Sequence, residues 1–291
     1  MKIDGYTRMA AVIAKPIRHS ISPFIHNHAY QLTATNAVYL AWEVEEDEVA
    51  QSLQQLRVLD MLGANISMPY KKKVLPFLDQ VDGSAQLIGS VNTIVQKDGR
   101  LTGYNTDGLG FLKSLPKNFS IDKKKMVLLG AGGAATAIVV EASRQGVGEI
   151  HLFVRPESLD KYQAIFAPLS EALAVSIVLH DLSSRDQLNA TIEGTDLLIN
   201  ATGIGMDGSS LPIPKDFIFP KGCLVADLAY FPAKTPFLQL AEEQGAKTLN
   251  GLGMLFQQAA VAFELMTDKT FPEEEVWQAL KLEYPDYVLE K

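Results

Sequence analysis

One cysteine, Cys223, occurs in 291 residues, so no disulfide can form within the chain and the fold must be held by its packing. Cys223 stands in the apolar run Cys223-Leu224-Val225-Ala226, where a thiol reads as a small packed hydrophobe. Basic residues are outnumbered, 26 Lys and Arg against 34 Asp and Glu, for a net charge of -8 and a pI near 5.2. Such a surface repels phosphate backbones unless its cations gather on one face. The runs Lys71-Lys72-Lys73 and Lys123-Lys124-Lys125 are too short to make that face, and no nucleic-acid partner is expected. Nowhere is there the roughly 20-residue apolar run that a membrane helix needs. The first ten residues carry Lys2, Asp4 and Arg8 without an apolar core, so no secretory signal is expected and a cytoplasmic location is. Histidine is scarce, and His26 and His28, two apart on an expected helix, point to different faces, which makes a poor metal pair. Internal repeats and low-complexity segments are lacking as well.

What is present is a chain with 47% hydrophobic residues, long enough for two cores. Its organising stretch is Met126-Val127-Leu128-Leu129-Gly130-Ala131-Gly132-Gly133-Ala134-Ala135, an apolar run that breaks at glycine and resumes as a small-residue apolar segment. It reads as a buried parallel strand, a glycine turn and a helix. Gly130, Gly132 and Gly133 let the backbone turn sharply and bring N–H groups to a helix start, where phosphate is stabilised. Gly130 and Gly132 fit the dinucleotide fingerprint, with Ala135 in the third place. A tight turn without a ligand is the other reading.

Before that stretch, Ala10-Ala11-Val12-Ile13-Ala14 reads as a strand closed by Pro16, and Ser22-Pro23 as the cap and first turn of a helix. Val38 to Val44 reads as a second strand, Glu45 to Leu62 as a helix, and Ala64 to Ser67 as a third strand, after which Lys71 follows a proline. Ser90 to Val95 and Leu101 to Tyr104 read as strands joined by the hairpin pair Asp98-Gly99, which delivers Asn105-Thr106-Asp107 to its far end. Lys71 and Asp107 thus stand at loop ends as a candidate proton-transfer dyad, with a surface ion pair as the alternative.

After the glycine turn, Glu149 to Val154, Ser176 to Leu179, Asp196 to Asn200 and Leu224 to Leu228 read as further strands alternating with helices, as a doubly wound parallel sheet requires. Arg155 follows the second strand, about where such folds contact the adenosine ribose, and an arginine there suits the 2′-phosphate of NADP. Met254 to Met266 and the segment from Phe271 read as helices. The expected architecture is therefore α/β with two domains. Residues 1–112 form an α/β substrate domain completed by the helices of 252–291, which pack back on it, and residues 113–251 form a Rossmann-like cofactor domain.

Several motifs in order across nearly the whole chain resemble the shikimate/quinate dehydrogenase family. They are Pro16-Ile17-Arg18-His19-Ser20-Ile21-Ser22-Pro23, Asn65-Ile66-Ser67-Met68-Pro69-Tyr70-Lys71, Ser90-Val91-Asn92-Thr93, Gly103-Tyr104-Asn105-Thr106-Asp107 and Asn250-Gly251-Leu252-Gly253-Met254-Leu255-Phe256-Gln257-Gln258. The resemblance implies Lys71 and Asp107 as the catalytic pair, with substrate contacts from Ser20, Ser22, Ser67, Asn92, Thr106, Tyr230 and Gln258. It implies cofactor contacts from Gly130, Ala131, Gly132, Gly133, Ala134, Arg155, Thr202, Leu228, Gly251 and Met254, and no metal. The implied activity is an NADPH-dependent, reversible reduction of 3-dehydroshikimate to shikimate in aromatic amino acid biosynthesis, on a small-molecule substrate and with room for a homodimer. Three stretches depart from the family pattern: Ala14 for a glycine, Ser67 for a commoner threonine, and Val154-Arg155-Pro156 for an Asn-Arg-Thr-like cluster, which keeps its arginine. Ser67 with Met68-Pro69 is similar to the branch that accepts quinate and can use NAD, so a quinate/shikimate dehydrogenase using NAD or both cofactors is the alternative reading. A non-catalytic metabolite sensor on the same fold is a remoter one.

Overall fold

The structure, a computed structural model, describes residues 3–289. The chain divides into two units, one made by the chain up to Gly110 together with Phe256–Glu283, the other by Phe111–Leu255 and the chain from Tyr284.

In the first unit, β1 (Arg8–Ala14) leads to α1 (Ser22–Leu32), β2 (Ala37–Glu43), α2 (Val49–Val58), β3 (Gly63–Ile66), β4 (Gln80–Val81), α3 (Gly83–Ile88), β5 (Thr93–Lys97), β6 (Arg100–Tyr104) and the start of α4 (Asp107–Ser114). The sheet order is β2-β1-β3-β5-β6-β4. β1 pairs parallel with β2 and β3, whereas β5 runs antiparallel to both β3 and β6. The β5–β6 hairpin turns at Asp98 (φ 51°) and Gly99 (φ 76°), the two left-handed residues that an Asp-Gly turn supplies. Ile13, Leu53, Leu56, Met61, Ile94 and Leu101 share one buried cluster, each worth about 1.5–3 kcal/mol of burial.

Two local expectations shift. Ser22 does not cap α1; it lies inside the first turn, and its N–H donates to Ser20 Oγ at 3.2 Å. The expected Glu45 to Leu62 helix is a 3-10 turn at Glu46–Glu48 followed by α2, which stops at Val58. There Arg8 Nε donates to Asp60 O (2.8 Å), Asp60 turns to φ 46°, and Met61 and Leu62 go to the sheet instead. The apolar pair that prolonged the helical period belongs to the core.

The second unit contains β7 (Lys125–Leu129), α5 (Gly133–Arg144), β8 (Glu149–Val154), α6 (Leu159–Leu173), β9 (Ser176–Asp181), α7 (Arg185–Ile192), β10 (Leu197–Asn200), β11 (Leu224–Asp227), α8 (Pro236–Glu243) and β12 (Lys247–Leu249). All its strand pairs are parallel, in the order β12-β11-β10-β7-β8-β9. Counted from β7, this is the 3-2-1-4-5-6 order of dinucleotide folds, and the direction of winding reverses between β7 and β10. Cys223 is buried, and burial pushes its thiol up to about 12, as befits a packed side chain.

α9 (Leu252–Thr267) and α10 (Glu273–Glu283) follow. Phe263 of α9 lies 5.5 Å from the Tyr30 ring of α1 and 5.3 Å from Phe271, so the C-terminal helices complete the first unit's core. Among the described residues no helix is long and apolar enough to cross a membrane, and no three His, Cys, Asp or Glu are grouped to hold a metal.

Candidate active site

Strand direction gathers one set of polar residues at a single edge of the first sheet. β1 and β3 are parallel with Ile13 opposite Ile66, so the loop bearing Ser20, which leads to Ser22 in the first turn of α1, and the loop bearing Ser67 and Lys71 leave from their carboxyl ends together. Lys15 N–H donates to Met68 O across these loops (3.4 Å). β5 is antiparallel to β3 and starts beside Asn65, while β6 ends beside Thr93, so Asn92 and the Asn105-Thr106-Asp107 turn reach the same edge.

The side chains there are closely joined. Lys71 Nζ donates to Asp107 Oδ2 at 2.5 Å, with the two side chains 23% and 9% exposed. Asn92 Nδ2 donates to Asp107 Oδ1 (2.8 Å) and Thr106 Oγ1 (2.9 Å), and Thr106 N–H donates back to Asn92 Oδ1 (2.8 Å). Thr106 Oγ1 donates to Gln258 O on α9 (3.1 Å). α9 approaches so closely at this point that a Cβ on Gly110 would lie 2.6 Å from Gln258 N. An ammonium held against a buried carboxylate, with that carboxylate oriented by an amide, is an arrangement able to pass a proton to an adjacent oxygen.

The second unit carries its own cleft, about 450 Å³, at the carboxyl end of β7 and β10. Gly130 (φ 96°), Ala131, Gly132, Arg155 and Thr202 line it. A Cβ on Gly130 would sit 2.9 Å from Ala201 O, so the turn requires glycine twice over, by angle and by space. At Gly132 and Gly133 a Cβ would meet nothing within 4 Å, and no side chain caps α5. Open N–H groups at a helix start, in a cleft at the winding reversal, fit the phosphates of a dinucleotide. Ala134 is half-buried in the first turn of α5. Arg155, its side chain 76% exposed, pairs with Glu157 at 3.4 Å and, among the described residues, has no other ion-pair partner.

Of the remaining expected residues, Thr202 Oγ1 donates to Asn200 Oδ1 (2.7 Å), which stiffens the loop after β10. Leu228 and Tyr230 lie on the loop after β11. Leu228 O would be 2.0 Å from a Cβ on Gly251, whose N–H donates to Ala229 O (2.9 Å). Tyr230 stacks on Tyr287, centroids 5.6 Å apart, and Met254 is buried at the start of α9.

Sequence reading passed over the residues that hold this loop. Asp227, the last residue of β11, accepts from Asn200 Nδ2 (2.9 Å), Thr235 Oγ1 (2.7 Å) and Ala229 N–H (3.0 Å). Burial pushes its carboxyl up, and the three donors work against that shift. The signal for both Asn200 and Asp227 was a polar residue ending an otherwise apolar strand, a site where open α/β sheets present ligands. In the first unit the strand and motif patterns place Asn65 and Tyr39 but give neither a partner.

Comparison with known proteins agrees with this geometry at the level of the chain. Residues 12–94 match the family described as shikimate dehydrogenase substrate binding domain, and residues 251–281 match the shikimate 5'-dehydrogenase C-terminal domain. A Streptococcus gordonii protein named shikimate dehydrogenase (NADP(+)) is 57% identical over 96% of this chain and 98% of its own. A Streptococcus pneumoniae protein of the same name is 51% identical over 98% of this chain and 100% of its own. Among solved structures, shikimate 5-dehydrogenase from Listeria monocytogenes, crystallised with shikimate and NAD, superposes with a TM-score of 0.88 at 40% identity, covering 96% of this chain and 98% of that one. With the parallel sheet, the glycine turn and the Lys71–Asp107 pair all in one chain, likeness of this extent means that the protein belongs to the shikimate dehydrogenase family.

Proposed function

We propose that this protein interconverts 3-dehydroshikimate and shikimate, an oxidoreductase reaction of aromatic amino acid biosynthesis, with NADP(H) as cofactor. The observation that carries the reading is the Lys71–Asp107 pair held by Asn92, a proton-transfer arrangement at the sheet edge where the chain also presents its serines. The relatives named for NADP(+) support the cofactor.

In this proposal the unit ending at Gly110 and resumed at Phe256 binds the substrate, and the other binds the dinucleotide. The dinucleotide, when bound, supplies or receives the hydride. Ser20 and Ser22 hold the substrate carboxylate through their hydroxyls, since their N–H groups donate to Ile17 O and Ser20 Oγ, and Ser67, Thr106, Tyr230 and Gln258 line the ring. During reduction, Lys71 Nζ donates a proton to the oxygen forming at the carbonyl carbon; in oxidation it takes the proton back. Asp107 holds the ammonium in place and accepts from a neighbouring ring hydroxyl. Asn92 keeps the carboxylate from rotating. Gly130, Ala131, Gly132, Gly133 and Ala134 cradle the diphosphate at the start of α5, while Thr202, Leu228, Gly251 and Met254 border the nicotinamide. A cytoplasmic location belongs to the same proposal, supported by the single, buried thiol.

Steady-state rates of the purified chain with shikimate and quinate, each with NADP(+) and NAD(+), test the proposal. The highest kcat/KM is expected for shikimate with NADP(+); absence of turnover with shikimate under either cofactor overturns the reading. Arg155 decides cofactor choice in this scheme. Arg155→Ala is expected to raise the KM for NADP(+) about tenfold, the lower end for a charge-assisted pair given its exposure, with the KM for NAD(+) unchanged. An equal rise for both cofactors would assign Arg155 no part in reading the 2′-phosphate.

A further inference from the structure

We propose that Tyr39, Asn65 and Thr93 form a positioning relay that runs through the core of the first unit and fixes the Asn92 amide against Asp107. The inference rests on the reading of Lys71 and Asp107 as the proton-transfer pair.

The bonds of the relay follow one another toward Asp107. Tyr39 is buried, its ring stacked on His26 with centroids 4.1 Å apart, and its phenol donates to Asn65 Oδ1 at 2.6 Å. Burial raises the phenol well above its ordinary range, so it stays a donor. With its oxygen committed to Tyr39, the Asn65 amide turns Nδ2 toward Thr93 Oγ1 (3.0 Å) and Asn92 O (3.3 Å). A hydroxyl has a single proton. Thr93, already accepting from Asn65, donates it to Asn92 Oδ1 at 3.0 Å, the shorter of its contacts, Thr106 Oγ1 standing at 3.4 Å. That oxygen also accepts the Thr106 N–H, so Asn92 must present Nδ2 to Asp107 Oδ1 and leave Oδ2 to Lys71. The chain of bonds therefore crosses from β2 through β3 to β5 and ends on the reacting pair.

A role in strand register alone explains this poorly. β3 is buried along its whole length, and Ile94 beside Thr93 is already fully buried, so an apolar side chain at position 65 would suit the surrounding core. Buried polar groups need every partner satisfied, and here the partners lie in a line that leads to Asp107. Tyr39, Asn65 and Thr93 reach the reacting atoms only through other residues; they position and do not react.

Thr93 offers a clean test, because valine keeps its shape and removes the hydroxyl, whereas serine keeps the hydroxyl and removes a methyl group. Thr93→Val is expected to lower kcat for shikimate oxidation about tenfold with KM within about twofold, and Thr93→Ser to retain at least about half of the kcat. Tyr39→Phe, two links further out, is expected to give a smaller fall of about threefold. Thermal unfolding of each variant accompanies the kinetics. If the residues serve packing alone, the order reverses: serine, which leaves a cavity, loses more stability and more activity than valine, and that result overturns the relay. Wild type and Lys71→Ala are measured alongside. An active wild type, an inactive Lys71→Ala and an unimpaired Thr93→Val overturn the relay by itself, whereas turnover that survives in Lys71→Ala removes the pair on which it rests.

Discussion

Lys71→Ala is expected to lower kcat for shikimate oxidation by about 10²–10⁴-fold, the range for removal of a positioned general acid or base, while KM for shikimate changes by no more than a few-fold. The split follows from geometry. Lys71 Nζ is bonded to Asp107 Oδ2 and its side chain is 23% exposed, so it stands at the sheet edge held by Asp107 and partly open. Substrate binding rests in this scheme on Ser20, Ser22, Ser67, Thr106, Tyr230 and Gln258 beside Asp107, and the bond that Lys71 Nζ makes is to Asp107. Asp107 keeps its bond from Asn92, so the carboxylate stays in place. Steady-state kinetics in both directions, with far-UV circular dichroism as a check on folding, measure it. A kcat within threefold of wild type would end the assignment of Lys71 as the proton donor.

Asp107→Asn should be nearly as damaging, with kcat/KM reduced by about 10²–10³-fold and a contribution from KM that Lys71→Ala lacks. The replacement keeps size and removes charge, but it creates a conflict of hydrogen-bond direction. Asn92 Nδ2 donates to one oxygen of the carboxylate and Lys71 Nζ to the other. An amide has one acceptor oxygen, so it meets one of these donors with its own N–H₂, and either Lys71 or Asn92 loses its partner. Leaving a donor unpaired at a side chain only 9% exposed carries a desolvation penalty, and the ammonium swings away from its working position. Because Asp107 also accepts from a ring hydroxyl in the proposed scheme, substrate affinity falls as well. The comparison with Lys71→Ala is the informative part. Equal KM values in the two variants would confine Asp107 to holding the lysine.

Much of the architecture was legible in the chain because periodicity and turn chemistry are local. Glu149 to Val154 was readable as a strand and is one, since a short apolar run broken by His151 alone leaves little choice. Asp98-Gly99 named its own hairpin, because both residues must adopt left-handed angles that few others tolerate. β4 and β12, of two and three residues, carried no readable period and exist only because a neighbouring strand accepts them. The helix expected to reach Leu62 stopped at Val58 because Arg8, fifty residues earlier in the chain, binds Asp60. Ser22 looked like a cap and is not one, since Ser20 takes up its N–H from outside the helix.

By itself the sequence determined the alternation of strands and helices, the glycine turn at Gly130 and the motifs that set Lys71 and Asp107 at loop ends, because each depends on residues close together in the chain. Tertiary structure alone decided that Lys71 and Asp107, 36 positions apart, share a bond, since this required β3, β5 and β6 to align with their ends at one edge. It also decided that Asn92 orients that pair and that Tyr39, Asn65 and Thr93 stand behind it. Hydrogen-bond direction in a buried network depends on which donor faces which acceptor across strands. That is settled by sheet register and packing, and no local pattern of residues records it.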